Sequence, residues 1–137
     1  MKIQFIDYGL DENLLPRKKY VHDAGMDVYL NNDTLIKAHE TVDIPLGFGL
    51  GVPTGFMVQL IERSSIAKLG ITTHISPVDP DYSGEIHLIV TNLTNEDKSF
   101  TKGERIAQLV MVPIAYFEIT KENIERRNTN GLGSSGK

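Results

Sequence analysis

The chain contains no cysteine among its 137 residues. It can therefore form no disulfide, no thiolate nucleophile and no cysteine-based zinc site. It also lacks an excess of positive charge, since 14 basic residues against 18 acidic ones give a formal net charge of −4. We therefore expect no nucleic-acid binding through bulk positive charge, and any polyanionic ligand must be held by a few well-placed groups.

Long apolar runs are missing as well. No segment, including the first five residues, reaches the roughly 20 apolar residues that a transmembrane helix needs. A soluble, cytoplasmic protein without a membrane partner is expected. The four histidines are scattered without the spacing of metal ligands, so no histidine metal site is expected either. The length fits one domain with its own core.

Hydrophobic periodicity predicts strands and almost no helix. Apolar residues alternate with period two over 56–61, 85–90 and 106–112. Glycine and proline punctuate the chain between such segments, which is typical of many short strands in a sandwich or barrel. Shorter strands are predicted at 3–6, 26–30, 34–36, 41–44, 71–73 and 117–119. The predicted fold class is all-β.

One short helical turn is predicted at 65–68, with Ser64 as its N-cap and Gly70 behind it. After residue 124 the composition becomes rich in glycine, serine and asparagine, which cannot bury enough apolar surface to order itself. We therefore predict a folded domain at 1–124. The remainder, 125–137, is either an idle tail or an arm that orders on a ligand.

The most informative segment is 76–85, where two carboxylates and a tyrosine lie in a turn between predicted strands. Pro77 and Pro80 each fix φ at about −65° and push the preceding residue toward extended geometry. A carboxylate held in this way can be aimed at a reacting atom. Because Asp, Pro, Ser and Gly are also common turn residues, the segment alone is equally compatible with an ordinary hairpin tip.

Two segments carry groups suited to a phosphate ligand. In 62–68, Arg63 precedes two serine hydroxyls and the free N–H groups of the predicted helical turn, which together form a small anion site. The alternative is a capped turn beside a solvated arginine. In 103–109, Gln108 falls on the apolar alternation, and an amide on a buried face needs partners. That segment could also be only a turn leading into a core strand.

Two more segments can be interpreted either as ligand-binding or as ordinary structural elements. Residues 131–137 match the phosphate-binding pattern Gly-x-x-x-x-Gly-Lys, in which backbone N–H groups converge on phosphate oxygens. A P-loop precedes a helix, and none is predicted here, so we expect a phosphate-wrapping arm and not an ATPase or GTPase. Asp27, at the start of a predicted strand, is either a metal partner or a turn residue.

In chain order, five segments resemble the five motifs of the trimeric dUTP pyrophosphatases, or dUTPases. The resemblance implies a distorted, jelly-roll-like β-barrel at 1–124 that forms a homotrimer and exchanges its C-terminal arm, 125–137. Each active site would take the central hairpin from one subunit, the phosphate-binding motifs from a second and the arm from a third. The five segments are 24–28, 63–67, 78–85, 103–109 and 127–136.

The reaction that the resemblance implies is hydrolysis of dUTP to dUMP and pyrophosphate, with Mg²⁺ held mainly by the triphosphate and by waters. Asp79 would activate the water that attacks the α-phosphorus. Tyr82 would stack under the deoxyribose and exclude a 2′-hydroxyl, and Asp27 would act on the magnesium through water. The remaining residues implied to bind substrate are Arg63, Ser64, Ser65, His74, Ile75, Ser76, Val78, Glu85, Ile86, Gln108, Arg127, Leu132, Gly133, Ser134 and Ser135.

The chain departs from the family pattern in three places, one of which is the hairpin approach at 74–77, which differs from commoner versions. Leu132 stands where a phenylalanine usually stacks on uracil, and such stacking is worth roughly 1–3 kcal/mol per base. We therefore expect a working lid with a weaker hold on the base. Glu62 stands where proline is usual before Arg63, a change that we interpret as neutral.

Two rival functions follow from the same resemblance. A dCTP deaminase shares the fold, the trimer and an Arg-Ser-Ser segment, but it needs a general-base glutamate on the strand after the hairpin. Residues 87–90 offer none. Some phage-encoded members of the family also bind repressor proteins, so a protein partner is possible if this chain is phage-encoded. Nothing in the sequence identifies such a partner.

Overall fold

The computed structural model describes residues 1–122. The predicted arm and its residues Arg127, Leu132, Gly133, Ser134 and Ser135 lie outside the described residues, as does the predicted boundary at 124. The helices found in 1–122 are too short to cross a membrane. The strands are β1 Gln4–Asp7, β2 Gly25–Tyr29, β3 Thr34–Ile36, β4 Thr41–Pro45, β5 Phe48–Gly51, β6 Phe56–Glu62, β7 Ile71–Thr73, β8 Pro77–Val78, β9 His87–Asn92, β10 Lys98–Phe100 and β11 Arg105–Pro113; the helices are the α-helix α1, Ser64–Ala67, and a 3₁₀ turn, Glu12–Leu14.

Antiparallel pairing organises these strands into four sheets. The largest has the order β2-β11-β6-β8, and a second has the order β4-β9-β7. Two further pairs, β1 with β5 and β3 with β10, complete the set. The core is formed by fully buried aliphatic and aromatic side chains from these sheets, among them Leu60, Leu88 and Ile106. The all-β prediction is confirmed.

Most predicted strands are present within one residue of their predicted bounds, but one is wrong. Residues 117–119 form no strand, and Phe117 and Ile119 are 83% and 90% exposed. An apolar alternation supplies only a tendency, and a strand needs a neighbour to bond with. The predicted strand at 85–90 begins at His87, because Ile86 is tied into the adjoining loop by hydrogen bonds with Phe48 and Leu46.

The prediction for the start of the helix needs correction, and three short strands were missed. Arg63, not Ser64, is the N-cap of α1, it makes no side-chain capping hydrogen bond, and Ser64 is the first helical residue. The strands β5, β8 and β10 were not predicted, since they are short and two of them contain glycine or proline. Gly70 does follow the helix with a positive φ of 82°, as a helix end favours.

The predicted hairpin around 76–85 is confirmed in outline, although it crosses between two sheets. Strands β7 and β9 pair antiparallel, with Thr73 opposite Val90. Between them, β8 pairs with β6, so that Val78 lies opposite Val58. The connection from 74 to 86 therefore leaves one sheet, touches the other and returns, which fixes its base on both sheets.

Asn92 is a fully buried polar residue that organises the turn after β9. Its Nδ2 donates to the carbonyl oxygens of Ile36 and Glu96 at 3.0 and 2.8 Å. Its Oδ1 accepts from the backbone N–H of Thr94 at 3.0 Å. The same Oδ1 accepts from the Thr94 hydroxyl at 2.7 Å, so the Asn92 side chain joins this turn to β3.

Replacing Asn92 with alanine should lower the free energy of unfolding by roughly 2–4 kcal/mol, because it leaves buried carbonyl and N–H groups without partners. Urea denaturation followed by circular dichroism measures the change. Asn95→Ala is the matched control, since Asn95 is exposed and, within residues 1–122, its side chain bonds to His39 alone, at 2.7 Å. Equal losses in the two variants would contradict a special role for Asn92.

Candidate active site

The pairing of β6 with β11 brings the first cluster of predicted residues together. Ala107 lies opposite Glu62 and Gln108 lies opposite Ile61, so the end of β6 runs beside the middle of β11. The Nε2 of Gln108 donates to the carbonyl oxygen of Glu62 at 2.9 Å. The amide predicted to need a partner therefore has one, and Arg63 follows directly where β6 ends.

Arg63 is held in place on several sides. Its Nε lies 3.3 Å from Oδ1 of Asp27, and its Nη1 donates to the Ser65 hydroxyl at 3.1 Å and to the Arg105 carbonyl at 3.2 Å. Arg105 reaches the other carboxylate oxygen of Asp27 at 3.4 Å. Both pairs remain partly open to solvent, which screens their attraction, so we assign them mainly the role of orienting the two guanidinium groups.

These groups line a cleft of about 510 Å³, whose walls include Arg63, Ser65 and Arg105. The first amides of α1, at Ser64 and Ser65, have no acceptor within the helix. Two guanidinium groups and Ser65 therefore line one space, together with Glu104, and the two cations suit an anion such as a phosphate chain. Sequence reasoning gave Arg105 no role, although its place in the 103–109 segment was a usable signal.

Gly25 keeps Gln108 in position. A Cβ at residue 25 would lie 2.4 Å from the Gln108 Oε1, so any side chain would push the amide away from Glu62. This close approach follows from the ladder of β2 with β11, in which Asp27 lies opposite Gln108. The glycine of the 24–28 segment is therefore a packing requirement of the cluster.

The second cluster is the turn that carries the predicted catalytic carboxylate. The backbone N–H of Tyr82 donates to the Asp79 carbonyl at 3.1 Å, which closes a four-residue turn. Asp at the first position and Pro80 at the second are favoured in such turns. Asp79 is exposed, and within residues 1–122 no hydrogen bond or ion pair occupies its carboxylate. The carboxylate is thus available to a water molecule.

Tyr82 is anchored above the same turn. Its hydroxyl donates to the Glu85 carbonyl at 2.7 Å, while 46% of the residue stays exposed. A Cβ on Gly84 would lie 2.6 Å from that hydroxyl, so only glycine leaves room for the ring. The Glu85 carboxylate in turn accepts from the Gly47 N–H at 2.8 Å, which ties the turn to the loop before β5.

The residues in and beside the hairpin that are predicted to bind substrate fall into two groups. His74 and Ile75 are exposed and Ser76 is half-buried. Val78 and Ile86 are 6% and 2% exposed, so their side chains belong to the core below the turn. The structure thus places an accessible strip beside a rigid base, and the contacts of these residues with a ligand stay predictions.

In the part of the chain that the structure describes, the Arg63–Gln108 cluster and the turn at 79–82 are not joined by polar contacts. No hydrogen bond or ion pair within residues 1–122 joins the turn at 79–82 to Arg63 or Gln108. One residue links their surroundings, since the Glu62 carboxylate accepts from the Thr73 N–H, just before the hairpin, at 2.7 Å. Sequence reasoning missed this residue, because Glu62 was interpreted as a neutral replacement for proline.

Asp27 is the candidate residue for a metal. Its carboxylate is shared by two arginines, and residues 1–122 contain no group of three or more His, Asp or Glu side chains that could hold a metal ion. The donor set therefore does not form a protein cage for a cation. It fits a cation that arrives with an anionic ligand and is reached by Asp27 through water.

Comparison with known proteins gives a consistent result. A family model described as dUTPase matches residues 11–136. The deoxyuridine 5'-triphosphate nucleotidohydrolase of Wolbachia pipientis subsp. Culex pipiens (strain wPip) is 38% identical over 135 residues, covering 90% of this chain and 87% of the relative. The enzyme of the same name from Finegoldia magna is 33% identical over 144 residues, covering 99% of both.

Solved structures show the same fold. The dUTPase of Staphylococcus bacteriophage 80alpha, solved with dUpNHpp, superposes with a TM-score of 0.85 at 23% identity and covers 98% of each chain. The dUTPase of phage phi11 of S. aureus, described with a structural Mg(II) ion, gives a TM-score of 0.81 at 20% identity and covers 90% of this chain. The family model and the curated relatives together establish that this chain belongs to the dUTPase family.

Proposed function

We propose that this protein hydrolyses dUTP to dUMP and pyrophosphate, with Asp79 as the general base. The observation that carries the proposal is the turn at 79–82, where an unoccupied carboxylate and an anchored Tyr82 stand on one rigid support. Membership of the dUTPase family supplies the substrate. The reaction would limit uracil incorporation into DNA and supply dUMP for dTMP synthesis.

The chemical step requires a water molecule aimed at the α-phosphorus. The Asp79 carboxylate would accept the proton of this water as its oxygen forms the new bond to phosphorus. The bond from the α-phosphorus to the bridging oxygen breaks, and pyrophosphate leaves with the electron pair. Pro80 limits the backbone freedom of the turn, which keeps the base and its water in a near-attack position.

The phosphate chain would lie in the cleft of the first cluster. Arg63, Arg105 and the amides of α1 supply the donors, and Ser65 is already bonded to Arg63 at 3.1 Å. Preorganised donors of this kind stabilise the charge that develops on the leaving pyrophosphate. Ser64 and Gln108 are proposed to contact the phosphates as well.

Mg²⁺ is part of the proposal as a companion of the nucleotide. When bound, it neutralises charge on the triphosphate. Asp27 is the residue of 1–122 that would accept hydrogen bonds from its waters, in agreement with the absence of a metal cage in this part of the chain. The arm residues Arg127, Leu132, Ser134 and Ser135 are proposed to close over the ligand.

A homotrimer is proposed as the active form. We propose that a site using both clusters takes the hairpin of one copy and the cleft of another, since no hydrogen bond or ion pair within residues 1–122 joins the two clusters. Exposed apolar side chains after β11, at Tyr116, Phe117 and Ile119, are also suited to pairing with a second copy.

Asp79→Asn should lower kcat for dUTP by roughly 10²–10⁴-fold with little change in KM, because the amide cannot accept the proton of the attacking water. Pyrophosphate release with Mg²⁺ measures both constants, with dTTP, UTP and dCTP as competing substrates for the wild type. Asp81→Asn is the matched control, since Asp81 is an exposed carboxylate of the same turn. An equal loss in both variants would contradict the assignment of Asp79.

Tyr82→Ala should raise kcat/KM for UTP relative to dUTP by about tenfold, because the ring that crowds a 2′-hydroxyl is gone. Tyr82→Phe keeps the ring and loses only the bond to the Glu85 carbonyl. It should therefore keep most of the discrimination. If the alanine variant still rejects UTP as strongly as the wild type, the sugar is selected elsewhere.

A further inference from the structure

Glu62 makes two contacts that point in different directions. Its carboxylate accepts a hydrogen bond from the Thr73 N–H at 2.7 Å, and its carbonyl oxygen accepts one from the Gln108 side chain at 2.9 Å. The first contact reaches the strand that leads into the hairpin. The second holds the Gln108 amide beside the end of β6. One half-buried residue therefore contacts both the strand that leads into the hairpin and the neighbouring strand β11.

The Thr73 amide needs this acceptor because of its place in the sheet. Strand β7 is an edge strand that pairs only with β9. The next amide, that of His74, donates across the ladder to Ile89 at 2.9 Å, so the N–H of Thr73 points away from β9. Thr73 is only 6% exposed, and a buried N–H without an acceptor is costly.

Among residues 1–122, no other side-chain hydrogen bond reaches Thr73. Its hydroxyl is buried and has no hydrogen-bond partner in the described part of the chain. The orientation of the last residue before the hairpin therefore depends on the β9 ladder on one side and on the Glu62 carboxylate on the other. A proline at position 62 could not supply that carboxylate.

We propose that Glu62 is a positioning residue that fixes the strand leading into the hairpin and thereby tightens the selection of the base. The inference rests on the proposed function, because the hairpin selects a base only if the ligand is dUTP. Glu62 touches no reacting atom in this account. It acts through Thr73 on the strip at 74–76, and through that strip on the fit of uracil against a 5-methylated base.

The test compares Glu62→Ala with Glu62→Gln in the full-length protein. Glutamine keeps an acceptor oxygen, so it should stay within about twofold of the wild type. Alanine removes the bond to Thr73 and should lower kcat/KM for dUTP by about tenfold, mainly through KM. It should also reduce the preference for dUTP over dTTP and increase the exchange rate of the Thr73 amide hydrogen by about tenfold.

Glu40→Ala is the matched control, because the Glu40 carboxylate also accepts a backbone N–H, that of Lys37, at 2.8 Å and lies outside both clusters. It should leave the kinetic constants and the base preference unchanged. Thermal unfolding of all variants separates a general loss of stability from a change in selection. If the alanine variant does not fold, the glutamine variant still decides, since a loss of base preference there overturns the inference.

An active wild type whose Glu62→Ala variant keeps the dUTP-over-dTTP preference would overturn the inference and leave the proposed function intact. Unchanged exchange at the Thr73 amide would overturn it in the same way. A wild type that hydrolyses no dUTP would overturn both. Lower stability with unchanged preference would show that the bond is only structural and would also overturn the inference.

Discussion

The register of β6 against β11 is the constraint on which the rest of the site depends. It runs through seven residue pairs, from Ala107 opposite Glu62 to Pro113 opposite Phe56. At one end it places Gln108 beside Glu62. Strand β6 ends there, and Arg63 follows as the N-cap of α1. On its other edge β6 pairs with β8, which supports the hairpin. A one-residue slip would turn every side chain of β11 to the opposite face and dismantle the cluster.

Orientation, more than net stabilisation, is what the polar contacts provide. Asp27 holds two guanidinium groups at 3.3 and 3.4 Å, in pairs that are partly open to solvent and therefore screened. The value of the arrangement is that the cations already face a common cleft before a ligand arrives. The Tyr82 hydroxyl does the same for its ring by bonding to the turn that carries Asp79. Preorganisation of this kind reduces the conformational entropy that is lost when side chains become ordered on ligand binding.

The sequence alone could predict the strands with strong alternation and the residue types of the site, because period-two burial and proline-rich turns are local signals. It failed at 117–119, where alternation exists but no strand lies alongside in the chain. It also misjudged Glu62, whose role depends on the edge of β7, a neighbour set by tertiary structure. The sequence analysis placed the N-cap at Ser64, one residue after its actual position at Arg63. Short strands containing Pro77 or Gly49 carry too little periodicity to be recognised.

The most direct test of the account mixes two inactive variants. Asp79→Asn removes the base on the hairpin, and Arg63→Met removes a cation in the cleft. If each site combines the hairpin of one subunit with the cleft of another, trimers assembled from both variants contain some sites with neither change. Co-expression should therefore restore dUTP hydrolysis to a fraction of the wild-type rate, although each variant alone is inactive. Assembly of mixed trimers without any recovered activity would contradict the shared site.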